Sequence, residues 1–171
     1  EEMSRVPGAV VWEKPMGRSA IRLDKDFHVV PRGIGLVIGC ATFPTWNSYP
    51  ALFADLVTGN AVIVKPHPAA ILPLALTVRI AREVLAQEGF DPDVIQLAPD
   101  TSEAPIAKEL ATDPAVGIVD FTGSSQFGGW LRENVKDKLV FTEEAGVNTI
   151  VIASTAAFGP MCQNIAFSLS L

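Results

Sequence analysis

The sequence has few cysteines and no cluster of positive charge, and both shortages narrow the class of protein. Its 171 residues include only Cys40 and Cys162. These two form neither a CxxC pair nor a disulfide framework, which favours a reducing compartment. Thirteen basic and nineteen acidic residues give a net charge of −6. Without a Lys/Arg cluster the chain has no electrostatic footprint for nucleic acid or anionic membrane. We therefore expect a cytoplasmic protein with neither kind of partner.

Charged residues are absent from 146 to 171. Such a stretch can indicate a membrane span. However, polar side chains dilute its hydropathy and Gly159-Pro160 interrupts it, so a buried strand over Thr149 to Ala153 followed by a buried helix is the better prediction. No Gly or basic last turn closes that helix before Leu171. The abrupt end predicts that the sequence was cut from a longer chain.

A short apolar run ending at Lys65 is the clearest strand in the sequence. The run Ala61 to Val64 is entered through Gly59-Asn60 and left through Lys65-Pro66. Such a run is typical of strands buried on both faces in parallel sheets. Because open α/β sheets bind ligands at the carboxyl ends of their strands, Lys65 is a candidate binding residue.

Strands and helices alternate along most of the chain. Predicted strands cover 21–30, 33–39, 61–64, 94–98, 117–121, 139–142 and 149–153. Predicted helices cover 46–57, with Pro50 in the first turn, and 71–88, 102–112 and 126–136. This alternation predicts an α/β fold with a doubly wound, mostly parallel sheet. The glycines at 33, 35 and 39 are spaced G-x-G-x-x-x-G within a strand, so they are not a dinucleotide fingerprint.

Residues that follow the predicted strands should share one rim of the sheet. They are Cys40, Ala41, Thr42, Lys65, Pro99, Asp100, Thr122, Gly123, Ser124 and Glu143. Hydroxyls, a helix-opening backbone amide and one lysine can together hold a phosphorylated ligand. Ordinary N-capping of the next helix explains Thr122 and Ser124 about equally well.

Four sequence blocks, in order, resemble the aldehyde dehydrogenase superfamily from about Pro31 onward. They are Thr42-Phe43-Pro44, Gly59-Asn60-(x)4-Lys65-Pro66, Phe121-Thr122-Gly123-Ser124-(x)3-Gly128 and Glu143-(x)2-Gly146-(x)-Asn148. Phe-Thr-Gly-Ser is short and weak alone, whereas four blocks in the right order are a strong signal. Residues 40–47 and 141–148 most resemble the phenylacetate-degradation branch.

The turn-forming Pro7, Gly8, Pro15 and Gly17 predict irregular structure over residues 1–20, so an irregular arm and a strand make up residues 1–30. The resemblance implies a Rossmann-like domain over 31–171 that binds NAD or NADP. Lys65 matches the family lysine that bonds the adenosine ribose, Ser124 matches the serine that meets the pyrophosphate, and Phe127 would lie against the dinucleotide. The expected cofactor site is completed by Cys40, Ala41, Thr42, Thr122 and Gly123, without a metal. Family members usually pair through a β-arm, so we expect a homo-oligomer for the full-length protein.

The resemblance also implies oxidation of an aldehyde to a carboxylic acid. Glu143 matches the general base that activates water for thioester hydrolysis, and partial burial would raise its pKa toward working pH. An exposed strand-end acid is the alternative, and Glu144 is the neighbour that can be confused with it. Thr42 stands where most members carry an Asn that donates to the oxyanion; its hydroxyl can donate one bond at shorter reach.

The family nucleophile is a cysteine well downstream of the base, so we expect it beyond Leu171 and expect this chain alone to be inactive. Cys162 is then a small buried residue. Pro68 stands where an acid often follows Lys-Pro, which removes repulsion toward a 2′-phosphate and makes NADP as plausible as NAD. Asp100 stands where Gly is common. Two alternatives stay open: a non-catalytic nucleotide-binding or scaffolding module, and acyl transfer through Cys162.

Overall fold

A computed structural model describes residues 9–17, 19–146 and 149–169. The first two strands form a hairpin, in which β1 (Ala9–Met16) pairs antiparallel with β2 (Ser19–Asp26). The prediction of irregular structure up to residue 20 is therefore wrong for 9–16, and residues 1–8 lie outside the described part. Gly17 has a φ of 61° and lies in the turn of the hairpin. This glycine therefore connects two strands and does not indicate irregular structure. The predicted strand over 21–30 ends at Asp26.

The remaining strands form a parallel five-stranded sheet in the order β5-β4-β3-β6-β7. They are β3 (Ile34–Ile38), β4 (Ala61–Lys65), β5 (Ile95–Leu97), β6 (Val116–Gly123) and β7 (Leu139–Glu144). The helices are α1 (Pro44–Val57), α2 (Ile71–Gln87), α3 (Ala107–Thr112), α4 (Ser125–Asn134) and α5 (Phe158–Leu169). The doubly wound, parallel α/β prediction is confirmed.

Each face of the sheet has its own apolar core. On one face, Val62 and Val64 of β4 pack with Leu52 of α1 and Leu74 of α2. The opposite face carries Leu36, Ile38, Val119 and Phe121, which pack with residues of α3 and α4, including Ala111 and Leu131. The buried β6 residues belong to the second core, whereas residues of β3 and β4 alternate between the two cores, so these two strands are packed on both sides. This double burial explains their nearly continuous apolar sequences.

Helices α1 and α3 begin at residues other than those predicted. The structure begins α1 at Pro44, so Pro50 lies inside the helix and not in its first turn. Pro44 occupies the first position, where a missing N–H costs nothing. The predicted helix over 102–112 is reduced to α3, because residues 101–106 form a loop whose Ile106 N–H donates to the Asp100 carboxylate.

Beyond β7 the prediction of a buried strand and a buried helix is wrong. Described residues 149–157 form no strand, and nearly all of the described α5 side chains are exposed. Among the residues that the structure describes, strand β7 pairs only with β6 and forms the last strand of the sheet. Asn148 and Leu171, which the sequence analysis used, lie outside the described residues. Among the described helices, none is long and apolar enough to cross a membrane.

A bulge aligns β6 with the central strand β3. Ile34 pairs with Val116 and Gly35 pairs with Ile118, which leaves Gly117 as the extra residue. A Cβ at Gly117 would lie 2.4 Å from the backbone oxygen of Arg32. That backbone is held in turn, because the Arg32 N–H donates to the Asn60 side chain over 2.6 Å. Glycine is therefore required by contact with the neighbouring backbone.

We predict that Gly117→Ala lowers the free energy of unfolding by about 1–3 kcal/mol, since the clash is with backbone that cannot rotate away. Urea denaturation of both proteins measures the difference. Gly129→Ala in α4 is the matched control, because its new Cβ would find only the Arg132 guanidinium at 3.8 Å. Equal losses for both variants would contradict this account of the bulge.

Candidate functional site

The carboxyl ends of the parallel strands open into one groove of about 620 Å³. Every cofactor-binding residue predicted from the sequence lines this groove: Cys40, Ala41, Thr42, Lys65, Thr122, Gly123, Ser124 and Phe127. They come from three separate segments, which follow or end β3, β4 and β6. Parallel pairing of those strands places the segments side by side. The predicted convergence is therefore observed for these residues, but Pro99 and Glu143 of the predicted rim do not line the groove. The residues' roles remain predictions.

Ser124 is the N-cap of α4. Its backbone is extended, with φ −73° and ψ 141°, and its Oγ accepts the Phe127 N–H over 3.3 Å. Ser124 therefore does cap α4, as the alternative interpretation of this residue predicted. Because the first N–H groups of a helix have no partner within it, capping leaves backbone donors at the start of α4. With the positive end of the helix dipole, they suit an anion placed in the groove.

An aromatic cluster forms the wall of the groove beside α4. The Phe127 ring stands edge-on to Phe121 at 4.9 Å and stacks on Trp130 at 5.6 Å, measured between ring centroids. Lys108 places its ammonium 4.7 Å from the centre of the Trp130 ring. These contacts hold Phe127 in one orientation, which gives the groove a fixed apolar surface.

Lys65 is not a free cation in the groove. Its Nζ lies 2.7 Å from Oδ1 of Asp100, and the two side chains are 7% and 1% exposed. Oδ2 of Asp100 accepts the Ile106 N–H over 3.1 Å. Oδ1 accepts no hydrogen bond from a described residue, so its contact with Lys65 is an ion pair without hydrogen-bond alignment. Sequence reasoning placed both residues on the rim but missed their pairing. Their positions after the adjacent strands β4 and β5 were the available signal.

Glu143 lies outside the groove, in a smaller hollow of about 230 Å³ beside α1. Its neighbours there include Trp46, Asn47 and Asp120. No ion pair or hydrogen bond engages the Glu143 carboxylate within the part of the chain that the structure describes. It is exposed, as the alternative interpretation of this residue expected.

Glu144 has a different environment from its neighbour. Arg132 of α4 binds its carboxylate, and that hydrogen bond holds the pKa of Glu144 below its ordinary value. A Cβ at Gly128 would lie 2.3 Å from Oε1 of Glu144, so the last glycine of the Phe-Thr-Gly-Ser block makes room for this pair. The structure thus separates the two acids: Glu144 joins α4 to β7, and Glu143 is the unengaged carboxylate.

Two further carboxyls lie beneath this region and were missed by sequence reasoning. Burial raises the pKa of Asp120 on β6 to about 6, with added repulsion from Asp55 and Glu143. Burial also raises the pKa of Asp55 on α1 to about 6. Aspartate inside the apolar pattern of β6 was the only sequence signal for this group.

A larger hollow, of about 1060 Å³, lies at the amino-terminal ends of the strands, on the side of the sheet away from the groove. Gly33 and Ala61, at the amino ends of β3 and β4, line it together with apolar side chains such as Phe53, Leu85 and Phe90. Asp91 is its only charged lining residue among those the structure describes. Size alone does not make it the site, because it lacks convergent polar groups.

The two cysteines are free thiols. Cys40 is half-buried in the groove, with its sulfur 3.7 Å from the Thr42 hydroxyl. Cys162 is exposed on α5, which corrects the expectation that it is a buried residue. It does not line the groove.

A parallel α/β sheet with a groove across its carboxyl edge, a capped helix start and a lysine at a strand end defines a Rossmann-like ligand-binding domain. The sequence profile of the aldehyde dehydrogenase family matches residues 11–171. The chain is 31% identical over 150 residues to 1-pyrroline-5-carboxylate dehydrogenase of Anoxybacillus flavithermus, which covers 83% of this chain and 28% of that protein.

Two solved structures extend the comparison. An NAD-dependent aldehyde dehydrogenase from Burkholderia multivorans matches with 53% identity and a TM-score of 0.82, covering 99% of this chain and 31% of that one. An NADP-dependent glyceraldehyde-3-phosphate dehydrogenase from Bacillus halodurans, complexed with NADP, matches with 26% identity and a TM-score of 0.65 over 80% of this chain and 28% of that one.

The chain belongs to the aldehyde dehydrogenase family, which confirms the resemblance at the level of the family. It spans between a quarter and a third of the length of these relatives.

We predict that Asp120→Asn stabilises the protein at pH 7 by about 1–2 kcal/mol, because the variant need not bury a charge. Since the pKa of Asp120 is higher in the folded state, the native protein gains stability from protonating it below the unfolded pKa. That gain is lost as the pH rises through about 6.

The difference between variant and wild type should therefore disappear near pH 4. Urea unfolding at several pH values measures it. Glu88→Gln, which removes an exposed carboxylate at the end of α2, is the control and should show no such trend. A difference that does not change with pH would contradict this assignment.

Proposed function

We propose that the groove binds NAD or NADP and that this chain is the cofactor-binding part of an enzyme oxidising an aldehyde to a carboxylic acid. The observation that carries the proposal is the convergence of Lys65, the α4 amino terminus and Phe127 in one groove. When bound, the cofactor supplies the hydride acceptor. The relatives named as NAD- or NADP-dependent enzymes support the same assignment.

The described residues fit such a ligand at three points. Backbone donors at the start of α4 suit a pyrophosphate, and Phe127 offers an apolar face. At the other end, Oδ1 of Asp100 is a buried acceptor with unused hydrogen-bonding capacity beside the Lys65 ammonium. A ribose hydroxyl can donate to that oxygen and accept from the lysine. These groups would bind and orient the ligand, and none of them is consumed by the reaction.

Glu143 is the residue that we propose as general base for the hydrolytic step. Its carboxylate has no described hydrogen-bonding partner, so it is available to accept a proton from water. Thr42, exposed on the loop after β3, is the proposed hydroxyl donor to the developing oxyanion.

The nucleophile is proposed to be a cysteine that this sequence does not contain. Cys162 lies outside the groove on an exposed helix, which disfavours the acyl-transfer alternative. A purely scaffolding role is not favoured by membership in a family of dehydrogenases. We therefore propose that residues 31–171 form the cofactor domain and that the catalytic domain follows it.

We also propose a metabolic role, a location and an oligomeric state for the full-length protein. The segments 40–47 and 141–148 support a role in phenylacetate degradation. Two free cysteines support a cytoplasmic location. The β1–β2 hairpin supports homo-oligomerisation through a β-arm, since an antiparallel ribbon has open edges that can pair with another chain.

We predict that Lys65→Ala weakens NAD binding about tenfold or more, since a hydrogen bond to a charged group contributes about 1.5–3 kcal/mol. Isothermal titration of NAD and of NADP into each protein measures the affinities. Lys136→Ala removes an exposed cation after α4 and is the control. Unfolding curves verify that each variant is folded. Equal affinities for wild type and Lys65→Ala would remove Lys65 from the site.

We also predict that Glu143→Gln, in the longer polypeptide that carries the nucleophile, lowers kcat about 10²-fold or more while a burst of reduced cofactor remains. Rapid-mixing absorbance at the reduced nicotinamide band measures both phases. Glu144→Gln is the comparison, because its carboxylate is bound to Arg132 and should matter mainly for stability. A loss of turnover in Glu144→Gln with none in Glu143→Gln would reverse the assignment.

A further inference from the structure

Asp100 is an unusual group to find in the wall of the groove. Asp100 lies in the loop after strand β5, and its side chain is 1% exposed. Its carboxylate accepts a hydrogen bond from the Ile106 N–H over 3.1 Å. Burying a carboxylate is costly unless it has partners. Here the ammonium of Lys65 is the partner of Oδ1 at 2.7 Å, and Oδ1 retains unused acceptor capacity. The arrangement is a pre-positioned acceptor that faces a ligand cavity.

The same ion pair removes the positive charge that a phosphate would need. Lys65 is the only lysine or arginine among the described residues that line the groove, and Asp100 neutralises it. His67 also lines the groove, but its Nδ1 already accepts the Ala69 N–H over 3.1 Å. A phosphate placed beside Lys65 would therefore also meet a fixed carboxylate.

The sheet order shows which end of the ligand this region would meet. Asp100 follows β5 at one edge of the sheet, whereas Glu143 lies on β7 at the opposite edge. The reacting ring of a dinucleotide must lie toward the proposed base. Its adenosine half then lies toward Lys65 and Asp100, with the pyrophosphate between them near the start of α4.

We propose that Asp100 is the specificity-determining residue of the groove and makes it select NAD over NADP. The inference rests on the proposed dinucleotide-binding function. Oδ1 accepts a hydrogen bond from the free 2′-hydroxyl of the adenosine ribose. A 2′-phosphate carries close to two negative charges at pH 7, cannot donate that bond, and is repelled by the carboxylate.

The sequence position expected to discriminate between the cofactors is neutral in this chain. Pro68 stands where an acid would repel a 2′-phosphate, so that position favours neither NAD nor NADP. In the folded protein, Asp100 supplies the missing negative charge from a different strand end. The negative charge that repels a 2′-phosphate is therefore supplied by Asp100 and not by residue 68.

The test compares NAD and NADP by isothermal titration into wild type, Asp100→Asn and Glu88→Gln. The first variant keeps the shape of the side chain and removes its charge. The second makes the same change in net charge at an exposed position outside the groove. We expect wild type and Glu88→Gln to bind NAD at least tenfold more tightly than NADP. Asp100→Asn should reduce that preference at least fivefold, mainly by binding NADP more tightly.

A second measurement does not depend on the variant folding. Adenosine 5′-monophosphate and adenosine 2′,5′-bisphosphate are competed against NAD on the wild-type protein. We expect the monophosphate to compete at least tenfold better. Equal competition, equal affinity for the two cofactors, or a preference unchanged in Asp100→Asn would overturn the role of Asp100 while leaving NAD binding intact. Absence of binding by either cofactor to wild type would instead overturn the proposed function and this inference together.

Discussion

Parallel pairing of β3 with both β4 and β6 is the constraint on which the site depends. Strands β3 and β4 lie between two apolar cores and β6 contributes to one of them, so packing fixes the register of all three strands. Because the strands run in the same direction, their carboxyl ends meet at one edge. The groove follows from that topology: the lysine after β4 meets the helix start and the aromatic wall after β6, although more than fifty residues separate them in sequence.

Electrostatics then differentiates the two ends of that edge. Near β5, a lysine and an aspartate neutralise each other inside the groove wall. Toward β7, two carboxyls line the same hollow: Asp120, whose pKa is raised to about 6, and Glu143. A neutral, hydrogen-bonding end and an acidic end are compatible with a ligand that is held at one side and reacts at the other.

The sequence predicted the sheet and the groove well, because both arise from local patterns. Buried strands such as Ala61 to Val64 have apolar runs, and rim residues follow directly from strand ends. Prediction failed where the outcome depends on neighbours. The 149–153 segment is apolar but does not join the sheet, and α5 is exposed although its sequence is apolar. The pairing of Lys65 with Asp100 was missed because it depends on β4 and β5 lying side by side in the sheet. The hairpin was missed because Gly17 was taken as a sign of irregular structure.

The central claim is that the dinucleotide binds in the groove at the carboxyl ends of the strands. The larger apolar hollow at their amino ends is not the binding site. Backbone amide chemical shifts recorded by NMR while NAD is added test this most directly. The account predicts that the largest changes occur at Lys65, Thr101 and the first turn of α4, around Ser125 and Gln126. Changes concentrated at Phe53, Leu85 and Phe90, with none at the groove, would contradict it.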